Sequence, residues 1–224
     1  MRVLAVDTAL EACSCAILDT ERSPALVARR SEGMTRGHAE ALVPMVSAMM
    51  EESGADFSGI DRFAVTVGPG SFTGLRVGIA AARGFALAAQ RPLVGLSTLA
   101  ALAAPHIAEN DAASTLVAID ARHDRVYLQL FAAAGRTAVA PCLVPIRDAI
   151  AAAQEGPVRI VGSAAAAVAA GCAEPPLLVD DSRAPDIAWV ARLGAASSAD
   201  MPAKPLYLRA PDAQPQTAAQ LPRR

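Results

Sequence analysis

Lysine is almost absent from this 224-residue sequence: of twenty basic residues only Lys204 is a lysine, and the rest are arginine. That excludes a phosphate cradle of the G-x-x-x-x-G-K-[ST] kind, which needs its lysine inside the glycine loop. Aromatics are scarce at 4%, although hydrophobic residues reach 53%. Alanine and small aliphatics must then do most of the packing, and closely spaced helices are expected. The four cysteines, Cys13, Cys15, Cys142 and Cys172, contain no C-x-x-C pair, which argues against a zinc site or a disulfide framework. Cys13 and Cys15 stand two apart in an expected strand, share a face and read as small core residues. No apolar run approaches the 18 or so residues of a membrane span. The start, M-R-V-L-A-V-D-T, puts an aspartate where a signal peptide needs continuous apolar residues. A soluble cytoplasmic protein is expected. A basic excess is missing too, with a formal net charge of -2. A protein that grips a nucleic-acid backbone unaided carries such an excess, so any role with RNA is expected to be indirect.

What is present is an ordered alternation. Apolar strands are expected over residues 3–6, ended by Asp7, then over 12–18 and 25–29. Residues 37–52 carry Leu42, Val43, Met45, Val46, Met49 and Met50 at helical spacing. A strand over 60–67, a helix over 74–89, a strand over 93–96 and a helix over 97–107, capped by Ser97 or Thr98, complete a βββαβα unit with a last strand and an exit helix. The pattern then restarts. T-L-V-A-I-D-A from Thr115 echoes R-V-L-A-V-D-T from Arg2, each strand ending in an aspartate, Asp120 or Asp7. Strands over 126–132 and 137–143, a helix over 146–153, a strand over 158–161, a helix over 164–170, a short strand over 177–179 and a helix over 187–196 follow. Two consecutive units of this kind indicate an α/β protein of duplicated lobes, the plan of actin and the sugar kinases, with a cleft between halves. The second lobe reads as degenerate, with shorter helices and fewer glycines. The expected divisions are 1–108, 109–200 and a Pro/Ala/Gln-rich extension over 201–224. Within that extension residues 205–209 are an extended piece that docks, and the tail from Ala210 is expected to be mobile.

The loop G-P-G-S-F-T-G-L-R, at 68–76, follows a strand and opens a helix. Gly68, Gly70 and Gly74 are spaced G-x-G-x-x-x-G, one residue too far for the dinucleotide fingerprint. Gly68, Pro69 and Gly70 make a tight turn; Ser71 or Thr73 caps the helix, with Phe72 and Arg76 beside them. Gly74, Val77, Gly78, Ala81 and Ala82 put small residues on one helix face. That face admits a close helix contact, either with the Met-rich helix carrying Leu42, Met45, Val46 and Met49 or with another chain. Asp7 and Asp120, with Thr8 and His38, are the candidates nearest a nucleotide in a cleft. Their turns, D-T-A-L and D-A-R-H, lack the glycine that lets backbone approach phosphate, so the plainer reading is that the aspartates cap their own turns. His38 has Leu42 one turn on where a helix-borne metal pair needs a second ligand, and reads as a helix-start residue. No metal ligand set and no catalytic triad emerges.

Together L-A-V-D-T-A-L-E-A-C-S-C-A-I-L, G-H-A-E-A-L-V-P-M, G-P-G-S-F-T-G-L-R-V-G-I-A-A-A-R-G, P-L-V-G-L-S-T-L-A-A-L, A-I-D-A-R-H-D-R-V-Y and P-L-Y-L-R closely resemble the bacterial TsaB (YeaZ) family, in order from Val3 to about Arg209. The resemblance implies an actin-like (ASKHA, ribonuclease H-like) fold and a role in making N6-threonylcarbamoyladenosine at position 37 of tRNAs that read codons beginning with A. It implies a non-catalytic partner of the metal-containing paralogue TsaD, paired through the two N-terminal-lobe helices, and a homodimer by the same route when alone. It further implies the ATPase TsaE in the complex, a separate synthase supplying threonylcarbamoyl-AMP, ATP used by the complex with no cofactor held tightly by this chain, tRNA reached through the complex, and no membrane. Ala39 departs from the serine usual after the histidine. The competing class is an enzyme of the same superfamily, a metal-dependent peptidase or a sugar-kinase-like phosphotransferase.

Overall fold

The computed structural model describes residues 1–109 and 112–209; the tail from Ala210 lies outside the described residues. In the first lobe β1 (Arg2–Asp7), β2 (Ala12–Asp19) and β3 (Leu26–Gly33) form an antiparallel meander. Then come α1 (His38–Ser53), β4 (Arg62–Gly68), α2 (Phe72–Ala89), β5 (Leu93–Ser97) and the exit helix α3 (Thr98–Glu109). The second lobe repeats this with β6 (Ser114–Asp120), β7 (Arg125–Phe131), β8 (Thr137–Pro145), α4 (Ile146–Ala153), β9 (Val158–Val161), α5 (Ala165–Ala170), β10 (Leu178–Asp180) and α6 (Ile187–Ala196). The sheets are ordered β3-β2-β1-β4-β5 and β8-β7-β6-β9-β10. In each, the first three strands pair antiparallel and the last two join parallel. This is the actin-like arrangement, present twice. The duplication reaches single residues: Gly68 ends β4 at φ 114 and Gly162 follows β9 at φ 109, a region open to glycine.

β2 is buried along its whole length because helices cover both faces of the first sheet, which is why A-C-S-C-A-I-L reads as a continuous small-apolar run. One face carries α1 and α2. Leu42, Met45, Val46 and Met49 pack there with Ile79, Ala82, Phe63 and Val65. The other face is covered by α6, whose Ile187, Val190 and Ala191 pack on Val3, Ala5, Ala16, Ala64 and Val94. The sequence reading puts α6 in the second unit, but in space it belongs to the first sheet. Arg62 on β4 ties it down by donating to the carbonyls of Gly194 at 3.0 Å and Ser197 at 2.6 Å. The segment after α6 stays on the first lobe. Gly95 N donates to Met201 O at 3.2 Å, Leu206 N to Val67 O at 2.7 Å, and Arg83 Nη2 to Ala203 O at 2.7 Å. The expected extended piece at 205–209 is the end of this strap.

Candidate functional site

The glycine loop is occupied by the chain's own backbone. Ser71 N donates to Ala9 O at 2.7 Å, and Thr8 Oγ1 donates to Gly74 O at 2.7 Å. A Cβ at Gly70 would overlap the Ala9 carbonyl, one at Gly74 the Thr8 carbonyl, and one at Gly78 would lie 2.5 Å from Thr8 Oγ1. These glycines therefore exist so that the β1–β2 turn can sit against α2. Ser71 caps the helix, accepting from Gly74 N at 3.3 Å, so of the two capping residues weighed above Ser71 does the work.

Asp7 is fully buried at the end of β1. Its Oδ1 accepts from the Thr66 hydroxyl and from Ala9 N at 3.2 Å, the turn-capping role read from sequence. Its Oδ2 has no hydrogen-bond partner, and neither has Nε2 of His38, which opens α1 at 7% exposure. Burial pushes the Asp7 carboxyl up to about 6, while the Thr66 hydroxyl, the Ala9 amide and the nearby His38 pull it back. Asp120 repeats the cap, accepting from Arg122 N at 2.8 Å, but is exposed. Thr66 is the partner that sequence reasoning missed; nothing in V-T-V shows that its hydroxyl faces β1 until β4 is paired beside it. Burial likewise holds the Cys13 and Cys15 thiols up near 11 and 12. Among the described residues no group of three His, Cys, Asp or Glu stands close enough to hold a metal ion.

The residues read as an interaction face divide in two. Leu42, Met45, Val46, Met49, Gly74, Gly78 and Ala82 are buried in the first lobe's own core, and Val77 and Ala81 are half-buried. The small residues do admit a close backbone, but it is that of Thr8 and Ala9, which corrects the reading of them as an interaction face. The outward arc of α2 holds Thr73, Ala80, Gly84, Leu87 and Ala88 instead. Arg76 and Arg83, seven residues apart, mark this solvent side in the sequence, and that signal could have found it. Leu87 is 81% exposed and Val43 on α1 is 51% exposed. Between the helices lies a mostly apolar groove of about 490 Å³, lined by Val43, Val46, Ser47, Phe57, Phe85 and Ala88. By length and composition α2 could cross a membrane, yet its inner stripe is core and only 33% of it is buried.

A family model described as TsaD, tRNA N6-adenosine threonylcarbamoyltransferase, matches residues 30–180. The Escherichia coli tRNA threonylcarbamoyladenosine biosynthesis protein TsaB is 42% identical over 127 residues, covering 57% of this chain and 53% of that protein. The Haemophilus influenzae TsaB matches at 36% over 57% of this chain and 52% of its own length, so the chain spans about half the length of these curated relatives. Among solved structures, the YeaZ from Pseudomonas aeruginosa superposes with a TM-score of 0.74 at 32% identity, covering 92% of this chain and 99% of that one.

Proposed function

The chain belongs to the TsaB (YeaZ) family, and on that premise we propose that it is the non-catalytic partner subunit in formation of N6-threonylcarbamoyladenosine on tRNA in the cytoplasm. In this reading it binds a TsaD-type paralogue, the subunit that carries the transfer of the threonylcarbamoyl group from threonylcarbamoyl-AMP to adenosine 37, and holds it in its active form. The ATPase TsaE joins them and the ATP is theirs to use; a second copy of this chain takes the paralogue's place when it is absent.

The observation that carries the reading is the outward face of α2 with the α1–α2 groove beside it. A related lobe could offer the same helix pair, so that two exposed ridges and two grooves meet in a four-helix contact. Leu87 and Val43 are the apolar projections available to it, and Gly84 is where the helices can approach most closely, since a Cβ there meets nothing within 4 Å.

The test is Gly84→Arg, measured by size exclusion with light scattering on the chain alone and mixed with the TsaD paralogue. The variant should stay folded by circular dichroism and lose pairing. In a mixture of TsaD, TsaE, ATP, threonylcarbamoyl-AMP and unmodified tRNA it should also lose modification. Retained pairing would overturn the interface, and modification at the normal rate without this chain would overturn the function.

A further inference from the structure

A second cluster of side chains stands at the N-terminal end of α2, beyond the stretch around Gly84 and Leu87 proposed for pairing. Phe72 and Tyr207 each keep about half of their surface in water, 51% and 46%, in a chain with only two tyrosines. Their ring centroids lie 5.6 Å apart at 32°. The Arg76 guanidinium carbon is 3.7 Å from the Phe72 ring centroid, and Arg76 Nε donates to Tyr207 Oη at 3.3 Å. The strap does not need these rings at its surface, because Leu206 N and Ala203 O already bond it to β4 and α2.

The stack continues into a cationic turn. Two residues past Tyr207, Arg209 Nη1 donates to Ala121 O at 3.5 Å, which brings the strap's end to the β6–β7 turn. There Arg122, His123 and Asp124 follow one another at φ 62, 53 and 55, a left-handed run that costs non-glycine residues about 1–2 kcal/mol each. The run leaves Arg122, His123 and Arg125 exposed. Arg209, Arg122 and Arg125 thus stand at one turn with Asp120 and Asp124, the Asp120 carboxylate accepts from the Arg122 amide, and the strap leads from this turn to Tyr207 and Arg76. A chain of net charge -2 concentrates positive charge here, next to half-exposed aromatic rings.

We propose that this patch is a direct contact for a single-stranded RNA segment, with a base stacked on the Phe72–Arg76–Tyr207 cluster and phosphates passing Arg209, Arg122 and Arg125. The inference rests on the tRNA-modification reading and revises the expectation that this chain reaches RNA only through its partner. Stacking planes beside guanidinium groups match the π-face and the phosphate of a nucleotide together; an acidic peptide would use the charges and leave the rings idle. The overall charge argument missed it because net charge says nothing of how the charge is distributed.

The experiment is fluorescence anisotropy of the full chain, without partners, against an unmodified tRNA and its isolated anticodon stem-loop across a salt series. With about three phosphate contacts, the slope of log affinity against log salt should be about -2, at roughly -0.7 per contact. Tyr207→Ala should weaken binding about tenfold, the loss of one stacked base, while Tyr207→Phe keeps it. Arg122→Ser with Arg125→Ser should flatten the slope by about 1.4. Melting curves confirm that each variant is folded. No binding by the wild-type chain at about 50 mM salt, or equal binding by all folded variants, overturns the proposal. So does a Tyr207→Ala variant that binds RNA normally but loses the paralogue, which would make the patch a protein surface. Leu87→Ser, which removes an apolar projection from the pairing stretch of α2 without changing charge, should bind RNA as wild type does, so failure here and failure of the pairing reading are told apart.

Discussion

At the scale of single residues, Asp7 is where sequence and environment are in tension. A carboxylate at the end of β1 caps its own turn, but the pairing of β4 and the placement of α1 leave it fully buried with Oδ2 unpartnered. Its folded value of about 6 lies above the ordinary 3.8, so the native state binds this proton more tightly than the unfolded chain does. The contribution to stability is therefore fullest below about pH 4, falls as pH rises from 3.8 to about 6, and above that is a fixed penalty of about 3 kcal/mol. Asp7→Asn keeps an acceptor for Thr66 and Ala9 and removes the charge. It should raise stability at pH 7.5 by about 1–3 kcal/mol and flatten the dependence between pH 4 and 6, read from urea unfolding across that range. Unchanged slopes in the variant would show that another group sets the dependence.

At the scale of the element, α2 presents two unlike faces, one packed on the β1–β2 turn and one in water. Gly78 faces inward, where a Cβ meets Thr8 Oγ1, and Gly84 faces open space. Both are mid-helix glycines and cost about 1 kcal/mol in propensity relative to alanine. Alanine should thus act with opposite signs at the two sites. Gly84→Ala should stabilise by about 0.5–1 kcal/mol, and Gly78→Ala should destabilise by about 1–3 kcal/mol because the Thr8 hydroxyl and its bond to Gly74 O must be displaced. Denaturant midpoints of the two variants check this, and stabilisation by both would mean that the turn is not held against α2. It follows that a bulky charge at Gly78 or Ala82 tests folding, whereas Gly84→Arg tests pairing.

At the scale of the whole molecule, the lobes are not independent along the chain. α6 covers the face of the first sheet that α1 and α2 leave bare, and the strap after it bonds to β4, β5 and α2. On the other side, His106 at the end of α3 pairs with Asp180 of β10 at 2.9 Å, and Arg159 on β9 reaches the carbonyls of His106 and Ala113. Each lobe thus borrows from the other. Trp189, the single tryptophan, is half-buried on α6 beneath Arg192 and reports the seating of that helix on the first lobe. Its fluorescence and the far-ultraviolet circular dichroism should give the same unfolding midpoint, the behaviour of one cooperative unit. Two separated midpoints would show that the lobes unfold singly.

The elements, their order and their duplication were legible in the sequence because each is written in local terms: the period of the apolar residues, the aspartate that ends β1 and β6, the serine that caps α2, the glycine that ends β4. The fold class and the helix pair behind the candidate site followed from these. What stayed illegible depends on which side of an element meets which neighbour. The small-residue face of α2 asks for a close backbone, and spacing alone cannot say whether that backbone is a partner's or the chain's own β1–β2 turn. α6 follows the second lobe in sequence and packs on the first. Thr66 becomes a partner of Asp7, and Tyr207 a neighbour of Phe72, only through contacts between residues 59 and about 130 positions apart. Local pattern determines the elements because their periodicity is set by the backbone. Tertiary structure alone decided which faces are spent on the core and which stay at the surface, since burial is a property of the packed whole.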